Sequence, residues 1–447
     1  MLNIIEKSDQ FLDFIENYRN SDSIIIPVFG DYNLHPLNTT LSLIFIRILG
    51  GSDYMLCYDH SESLKLSMDT IKSLNCAKTL YTNNKRKLSH IIELDNIVDI
   101  NMKHYLQTNK PIDFSDCFTP THNHFHSQYY SFKNLNLVIP ILKHYEFCDV
   151  ACKKMENNIK SSSINKVFDI YNKDVIDNLV FIEKSGLKVN SDLIGLQNKK
   201  HISTDGLVYT EYNPYTSTGR PSNRFGGINF SALNKEDGSR KPFISRFDNG
   251  ALVEFDYDSY HLRLIADIIG YDFPEGSVHK YLGKQYGIDD YKESKAMSFK
   301  LLYGGIPKEI SDNIPFFGEV DKYIQTKWNE YKKSFSVDSD IYNRKLLSKN
   351  LTNMNKNKLF NYLIQLGETE NNMVVLKKLR KFLDKFTSKV ILYQYDSFLF
   401  DFNLDDGKQF LIDVKNILEQ DGKYPVKVGY GCNYHEMKDF TEKLNGI

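Results

Sequence analysis

The sequence has no CxxC pair and no dense cysteine spacing; its six cysteines are scattered at positions 57, 76, 117, 148, 152 and 432. That excludes a disulfide-stapled scaffold and favours a reducing compartment. No apolar run reaches the roughly 18 residues that a membrane helix needs, so no membrane partner is expected. The opening stretch MLNIIEKSDQFLDFIENY is amphipathic and acidic, unlike a signal peptide. Net charge is also nearly absent: 56 basic against 57 acidic residues leave −1. The chain is no polycation, and any polyanion would have to meet a local patch. A soluble, intracellular protein is the expectation.

What is present is ordinary globular material, 41% hydrophobic and 13% aromatic over 447 residues, enough for two to four packed units. Residues 1–150 alternate short strands (SIIIPVF, LSLIFIRIL, YMLCYD) with helical stretches, a mixed α/β pattern. Residues 164–190 read as a helix ending near Gly186. A polar segment of loops follows to about residue 240. A strand at 251–256, a helix at 259–269, a helical stretch at 278–335 and basic helices within 343–388 come next. The chain closes with VILYQYDSFLFDF, a helix at 405–419 and PVKVGYGCNYHEM. A second α/β unit is predicted, its sheet uniting 251–256 with 390–402.

LVEFDYDSYHLRLIA (252–266) is the most demanding stretch, because a carboxylate at the tip of a buried strand is costly without a partner. Alternation puts Leu252, Glu254 and Asp256 on one face, and Asp396 is read amid a second apolar strand. Two such carboxylates on adjacent strands repel unless a hard divalent cation lies between them. Two ions roughly 4 Å apart would clamp the attacking and leaving oxygens of a phosphoryl displacement. Taken singly, either aspartate simply ends its strand; Asp258 is expected to cap the next helix. In YKESKAMSFKLLYGG, Lys295, Phe299 and Tyr303 recur every four residues and share one helix face with a drift of about 40° per step. Lys292 lies beside that face. A cation followed by two aromatics suits a triphosphate and a stacked base, although an amphipathic helix with core aromatics gives the same pattern.

Seven short signatures occur in one order: TSTGRPSN, FDYDSYHLR, SVHKYLGKQYG, KESKAMSFKLLYGG, NYLIQLGE, LYQYDSF and PVKVGYGCNY. Over residues 206–447 this order resembles family A DNA polymerases, the group of bacterial DNA polymerase I, in a divergent, phage-type form. The resemblance implies a right-hand palm-and-fingers α/β domain preceded by a ribonuclease-H-like 3′–5′ exonuclease-type domain. It implies divisions at 1–150 (exonuclease-like, inactive), 151–205 (connecting helix and vestigial thumb), 206–278 (palm), 279–345 (fingers) and 346–447 (palm). The implied activity is template-dependent transfer of deoxynucleoside triphosphates to a primer 3′-hydroxyl with two Mg²⁺ or Mn²⁺ ions, in the cytoplasm of a bacterium or a phage-infected cell.

Carried over by position, Asp256 and Asp396 would hold the metals, with the Tyr257 carbonyl a further ligand. Lys295 would neutralise the triphosphate, assisted by Lys292 and His279, while Phe299 and Tyr303 stack on the nascent pair. Arg220 would meet the primer terminus, Arg240 backbone phosphate, and Asn361, Gln365 and Tyr395 the primer-template. His261 stands where the family has a glutamate crowding the sugar 2′ position, so sugar selectivity is open. Tyr395 and Ser397 replace a histidine and a second acid, Tyr291 replaces an arginine, and Asn357 replaces another beside Lys356 and Lys358.

Only residues 191–217 stand where the family inserts a long helical thumb, which implies low processivity and a processivity or replisome partner. In the exonuclease-like part, Asp31 remains, but Asn33 and Asn134 occupy positions expected to be acidic; a two-metal nuclease needs those carboxylates. Absence of proofreading is therefore expected. Rival readings are a polymerase with relaxed sugar choice, a template-independent terminal transferase, a catalytically silent DNA-binding replisome scaffold, and a nuclease built on residues 1–150. Weaker signals are His122, His124 and His126 in THNHFH and the set His144, Cys148 and Cys152, either of which could bind zinc but is better read as polar loop or packed helix. Lysine and arginine runs at 344–358 and 377–389 could form a DNA track or solvated faces.

Overall fold

The computed structural model describes residues 2–94, 96–117, 134–160, 165–223 and 227–445. The chain forms two compact units. The first comprises 1–186, 194–211 and 223–229; the second comprises 187–193, 212–222 and 230–447. The stretch read as a connecting helix therefore stays with the first unit through Gly186.

The first unit is built on a six-stranded sheet. Its strands are β1 (Leu2–Ile5), β2 (Asp22–Phe29), β3 (Leu41–Ile48), β4 (Asp53–Cys57), β5 (Thr79–Thr82) and β6 (Ile97–Asp99), in the order β1-β4-β3-β2-β5-β6. The β2–β3 and β3–β4 pairs are antiparallel; β1–β4, β2–β5 and β5–β6 are parallel. The buried runs SIIIPVF and LSLIFI are β-branched and aromatic, which suits a sheet covered on both faces. Around it lie α1 (Ser8–Tyr18), α2 (Lys85–Leu88), α3 (Ile100–Thr108), α4 (Ile141–Lys160), α5 (Lys166–Asp169) and α6 (Ile176–Ser185). Helix α1 buries Phe11, Phe14 and Tyr18, the face its amphipathic sequence announces. Arg47 on β3 binds Asp53 on β4 at 2.7 Å and Asp149 on α4 at 2.7 Å, a charge network joining sheet and helix. A π-helical stretch, Ile170–Val175, separates α5 from α6, so the predicted single helix is continuous but locally widened to i→i+5 bonding.

The second unit carries an antiparallel sheet of five strands: β7 (Gly250–Tyr257), β8 (Lys389–Gln394), β9 (Ser397–Asn403), β10 (Val426–Gly431) and β11 (Lys438–Asp439), ordered β8-β9-β7-β10-β11. The predicted union of 251–256 with 390–402 holds: β7 pairs with β9 from Gly250↔Asn403 to Asp256↔Ser397. One expectation needs correction. Asp396 lies in the turn of the β8–β9 hairpin, not within a strand, and Tyr395 before it takes φ +56°. Its longer helices are α7 (Tyr260–Ile269), α8 (Val278–Tyr286), α9 (Tyr291–Gly304), α10 (Pro315–Ser334), α11 (Lys356–Leu383) and α12 (Gly407–Glu419). Ser277, Asp290 and Asn355 cap α8, α9 and α11 by accepting backbone N–H bonds. Residues 191–217, which stand in the place of a thumb, hold two short strands and one 3₁₀ turn and no α-helix. No helix among the described residues is long and apolar enough to cross a membrane.

Candidate active site

The central strand β7 ends at the mouth of a cavity of about 470 Å³ in the second unit. It is lined by Arg220, Glu254, Asp256, Tyr257, Asp258, His261, His279, Lys295, Phe299, Tyr303, Asp396 and Lys427, among others. Nine residues singled out from the sequence thus meet in one cavity, drawn from a loop, β7, α7, α8, α9 and the β8–β9 turn. Lys292, Arg240, Asn361, Gln365 and Tyr395 do not line it.

The two aspartates are brought together by register. Asp256 faces Ser397 across the β7–β9 ladder, and the Tyr257 N–H donates to the Asp396 carbonyl at 2.9 Å, so the carboxylates flank the same rung. Burial, then the facing Asp396 and Glu254, push the Asp256 carboxyl up to about 7. Burial and Glu368 push Asp396 upward as well. Acids held above their usual range by burial and by neighbouring carboxylates are what a divalent cation relieves. The donor chemistry therefore fits hard oxygen-seeking ions, with Asp256 and Asp396 the residues that would hold them. Lys235 reaches within 3.9 Å of both Glu254 and Asp256, a weak stand-in for that charge.

A buried polar chain closes the floor of the cavity. The Arg220 guanidinium donates to the Glu368 carboxylate through Nε at 3.1 Å and lies 4.3 Å from the Tyr395 ring centroid. His261 faces the same carboxylate oxygen through Nε2, and its Nδ1 meets the Tyr303 hydroxyl. Burial alone would raise Glu368, but His261 and Arg220 outweigh it and hold the carboxyl below its usual range. Glu368 was quoted within NYLIQLGE yet given no role. The available signal was a carboxylate amid buried positions of α11, which demands cationic partners. Glu254, placed on the Asp256 face by alternation, carried no role in that reading, and Lys427 was not singled out.

Along α9, Phe299 and Tyr303 stack with centroids 5.8 Å apart, and the Lys295 ammonium sits 5.9 Å from the Phe299 ring. Lys295 is exposed, so its charge is available to a ligand. His279 packs edge-on to Phe299 at 5.4 Å, and burial pulls it down to about 4. In the free protein the imidazole is therefore neutral near pH 7. Asp258 does not cap α7; it accepts from Lys427, and the capping position falls to Ser259, at φ +56° without a side-chain cap bond. Arg240 is buried, donating to the Leu233 carbonyl at 3.1 Å with its guanidinium over Tyr434, so it offers no open face to phosphate. Asn361 donates to the Tyr303 carbonyl at 3.4 Å, Asn357 to the Gly304 carbonyl at 3.0 Å, and both bind the end of α9. Gln365 and the exposed Lys292 lie outside the cavity. Arg344 is buried, which removes it from any surface track.

In the first unit, Asp31 accepts from the Asn33 N–H at 2.8 Å, a loop contact. His144, Cys148 and Cys152 are buried in α4, with His144 paired to the Asn136 carbonyl at 3.1 Å, which is core packing. His122, His124 and His126 lie outside the described residues. Among the described residues, one trio of His, Cys, Asp or Glu has donor atoms all within 4.8 Å of one another: His35, His90 and Glu183. The acids of the cavity form a looser set.

No family model and no curated protein matches the sequence. Among solved structures the chain is similar to the POL domain of Pol1 from M. smegmatis in complex with DNA primer-template and dNTP. The TM-score is 0.67 at 13% identity, covering 97% of this chain and 99% of that one. At that identity the likeness establishes the fold, a mixed α/β architecture like that of a DNA polymerase domain.

Proposed function

We propose that the chain is a DNA-directed DNA polymerase, a nucleotidyltransferase that extends a primer 3′-hydroxyl with deoxynucleoside triphosphates. The observation that carries this reading is one cavity holding Asp256 and Asp396 at adjacent strand ends opposite the Lys295–Phe299–Tyr303 face. The primer-template and dNTP bound by the structurally similar protein supply the corresponding partners. Two Mg²⁺ or Mn²⁺ ions, when bound by Asp256, Asp396 and the Tyr257 carbonyl, would supply Lewis-acid stabilisation to both the attacking and the leaving oxygen. Lys295 attracts the triphosphate, Phe299 and Tyr303 give the base a stacking platform, and α9 moves as the closing element. Arg220 is held by Glu368 and Tyr395 at the edge of the cavity, where the primer terminus would lie.

His261 favours a variant of this reading in which sugar choice differs from that of a glutamate-gated site, since a ring fixed between Tyr303 and Glu368 presents a different shape to the 2′ carbon. A silent scaffold would have no use for two carboxylates held above their usual range. We further read the first unit as devoid of proofreading and the chain as weakly processive, leaning on a replisome partner. Primer extension with Mg²⁺ tests the main proposal. Wild type extends, and Asp256→Ala and Asp396→Ala fall to background while keeping the wild-type circular dichroism. Extension by both variants would overturn it.

A further inference from the structure

The trio His35, His90 and Glu183 belongs to the first unit and has no part in the chemistry proposed above. His35 precedes a 3₁₀ turn (Pro36–Asn38), His90 follows α2, and Glu183 lies on α6. All three are buried, at 5%, 8% and 0% exposure, and one donor atom from each lies within 4.8 Å of the others. The imidazoles meet edge to face with centroids 4.5 Å apart. Two ring nitrogens, His35 Nε2 and His90 Nδ1, are buried without a hydrogen-bond partner. A buried nitrogen with no partner is costly, and two on adjacent rings need an explanation.

We propose that His35 and His90 bind a divalent transition ion of borderline hardness, of which Zn²⁺ is the type. His90 donates through Nε2 to Glu183 at 2.8 Å, which turns Nδ1 toward the metal. This is the carboxylate–histidine–metal arrangement, in which the acid fixes the ring and raises its basicity. Arg86 donates to Glu183 at 2.8 Å and to Glu211 at 2.8 Å, so the nearest guanidinium is engaged by two carboxylates and does not turn toward the imidazoles. His35 also lines a small cavity of about 20 Å³ with Asn33, Asn38, Tyr209 and Glu211. That is room for one water beside His35, since one water needs roughly 10–15 Å³. Binding at Nε2 requires the His35 proton on Nδ1, so the 3.2 Å bond that Nδ1 accepts from the Leu37 N–H is given up. Two imidazoles and no thiolate point to Zn²⁺ or a neighbour in the series rather than to Mg²⁺.

The test loads the full-length, chelator-stripped protein with Zn²⁺ alone and reads stoichiometry and affinity by competition with a chromophoric chelator. One equivalent is expected for wild type, for Asp256→Asn and for the triple variant His122→Ala, His124→Ala, His126→Ala. His35→Gln and His90→Gln lose it, and Glu183→Gln binds about 10–100-fold more weakly. No stoichiometric binding by wild type, or binding unchanged in both histidine variants, overturns the proposal. If either histidine variant is unfolded by circular dichroism, zinc-edge absorption of the loaded wild type decides. Two imidazole nitrogens uphold the site, and an oxygen-only shell refutes it.

Discussion

Tyr257 donates its backbone N–H to the carbonyl of Asp396 at 2.9 Å, and this bond ties the end of β7, just past Asp256, to the turn that carries Asp396. Asp256 precedes that donor on β7, and its ladder partner Ser397 follows that acceptor. Asp396 is thus tied to the sheet although it lies in a turn.

The proximity has a pH signature. Asp256 is raised to about 7, so in the metal-free protein its share of stability is present at low pH and is lost as pH rises from about 4 through about 7. Asp256→Asn is expected to raise the metal-free melting temperature at pH 8 by about 2–4 °C and to leave it unchanged near pH 4. Calorimetry in a chelator reads both. Because protons and metal compete for the same oxygens, the Mg²⁺ concentration giving half-maximal extension should climb as pH falls below about 7.

Glu368 is fully buried and balanced by Arg220 and His261. Glu368→Ala leaves a guanidinium without its counter-charge, at a cost of about 3–5 kcal/mol in urea unfolding. The His261→Ala, Glu368→Ala double-mutant cycle is expected to show a coupling of at least about 0.5 kcal/mol. Additive effects would mean that the two side chains are independent.

Sugar choice is the functional counterpart. With His261→Ala, the ratio of ribonucleotide to deoxyribonucleotide incorporation is expected to shift about 10-fold or more, measured as kcat/KM for each. A ratio that stays put while stability drops would confine His261 to a structural role.

Gly283 on α8 sets how closely that helix approaches Ser294 on α9. A methyl group there would strike the Ser294 hydroxyl and come within 2.8 Å of the Ile288 carbonyl. Gly283→Ala is expected to cost about 1–3 kcal/mol. By tilting α9 it should raise the KM for nucleotide more than it lowers kcat. Ser294→Ala in the same chain relieves only the side-chain clash, so rescue is partial.

Much of this was legible from residue order. Apolar runs with β-branched residues located β2, β3, β7 and the 390–402 stretch that carries β8 and β9, and four-residue spacing put Lys295, Phe299 and Tyr303 on one helix face, because period and propensity are local properties. The same local view misplaced Asp396 inside a strand, since YQYDSF carries no glycine to mark the turn and Tyr395 takes the left-handed conformation in its stead. It also left Asp258 as a cap when Lys427, from a strand far along the chain, claims it.

The sequence by itself determined which side chains exist to do chemistry and on which element each is carried. Only the tertiary structure decided their company. Glu368 between His261 and Arg220, His279 made neutral by burial, Arg240 withdrawn under Tyr434, and His35 beside His90 all depend on residues distant in the chain. The physical reason is that charge, solvation and hydrogen bonding act across space, whereas periodicity and turn preference act along the backbone.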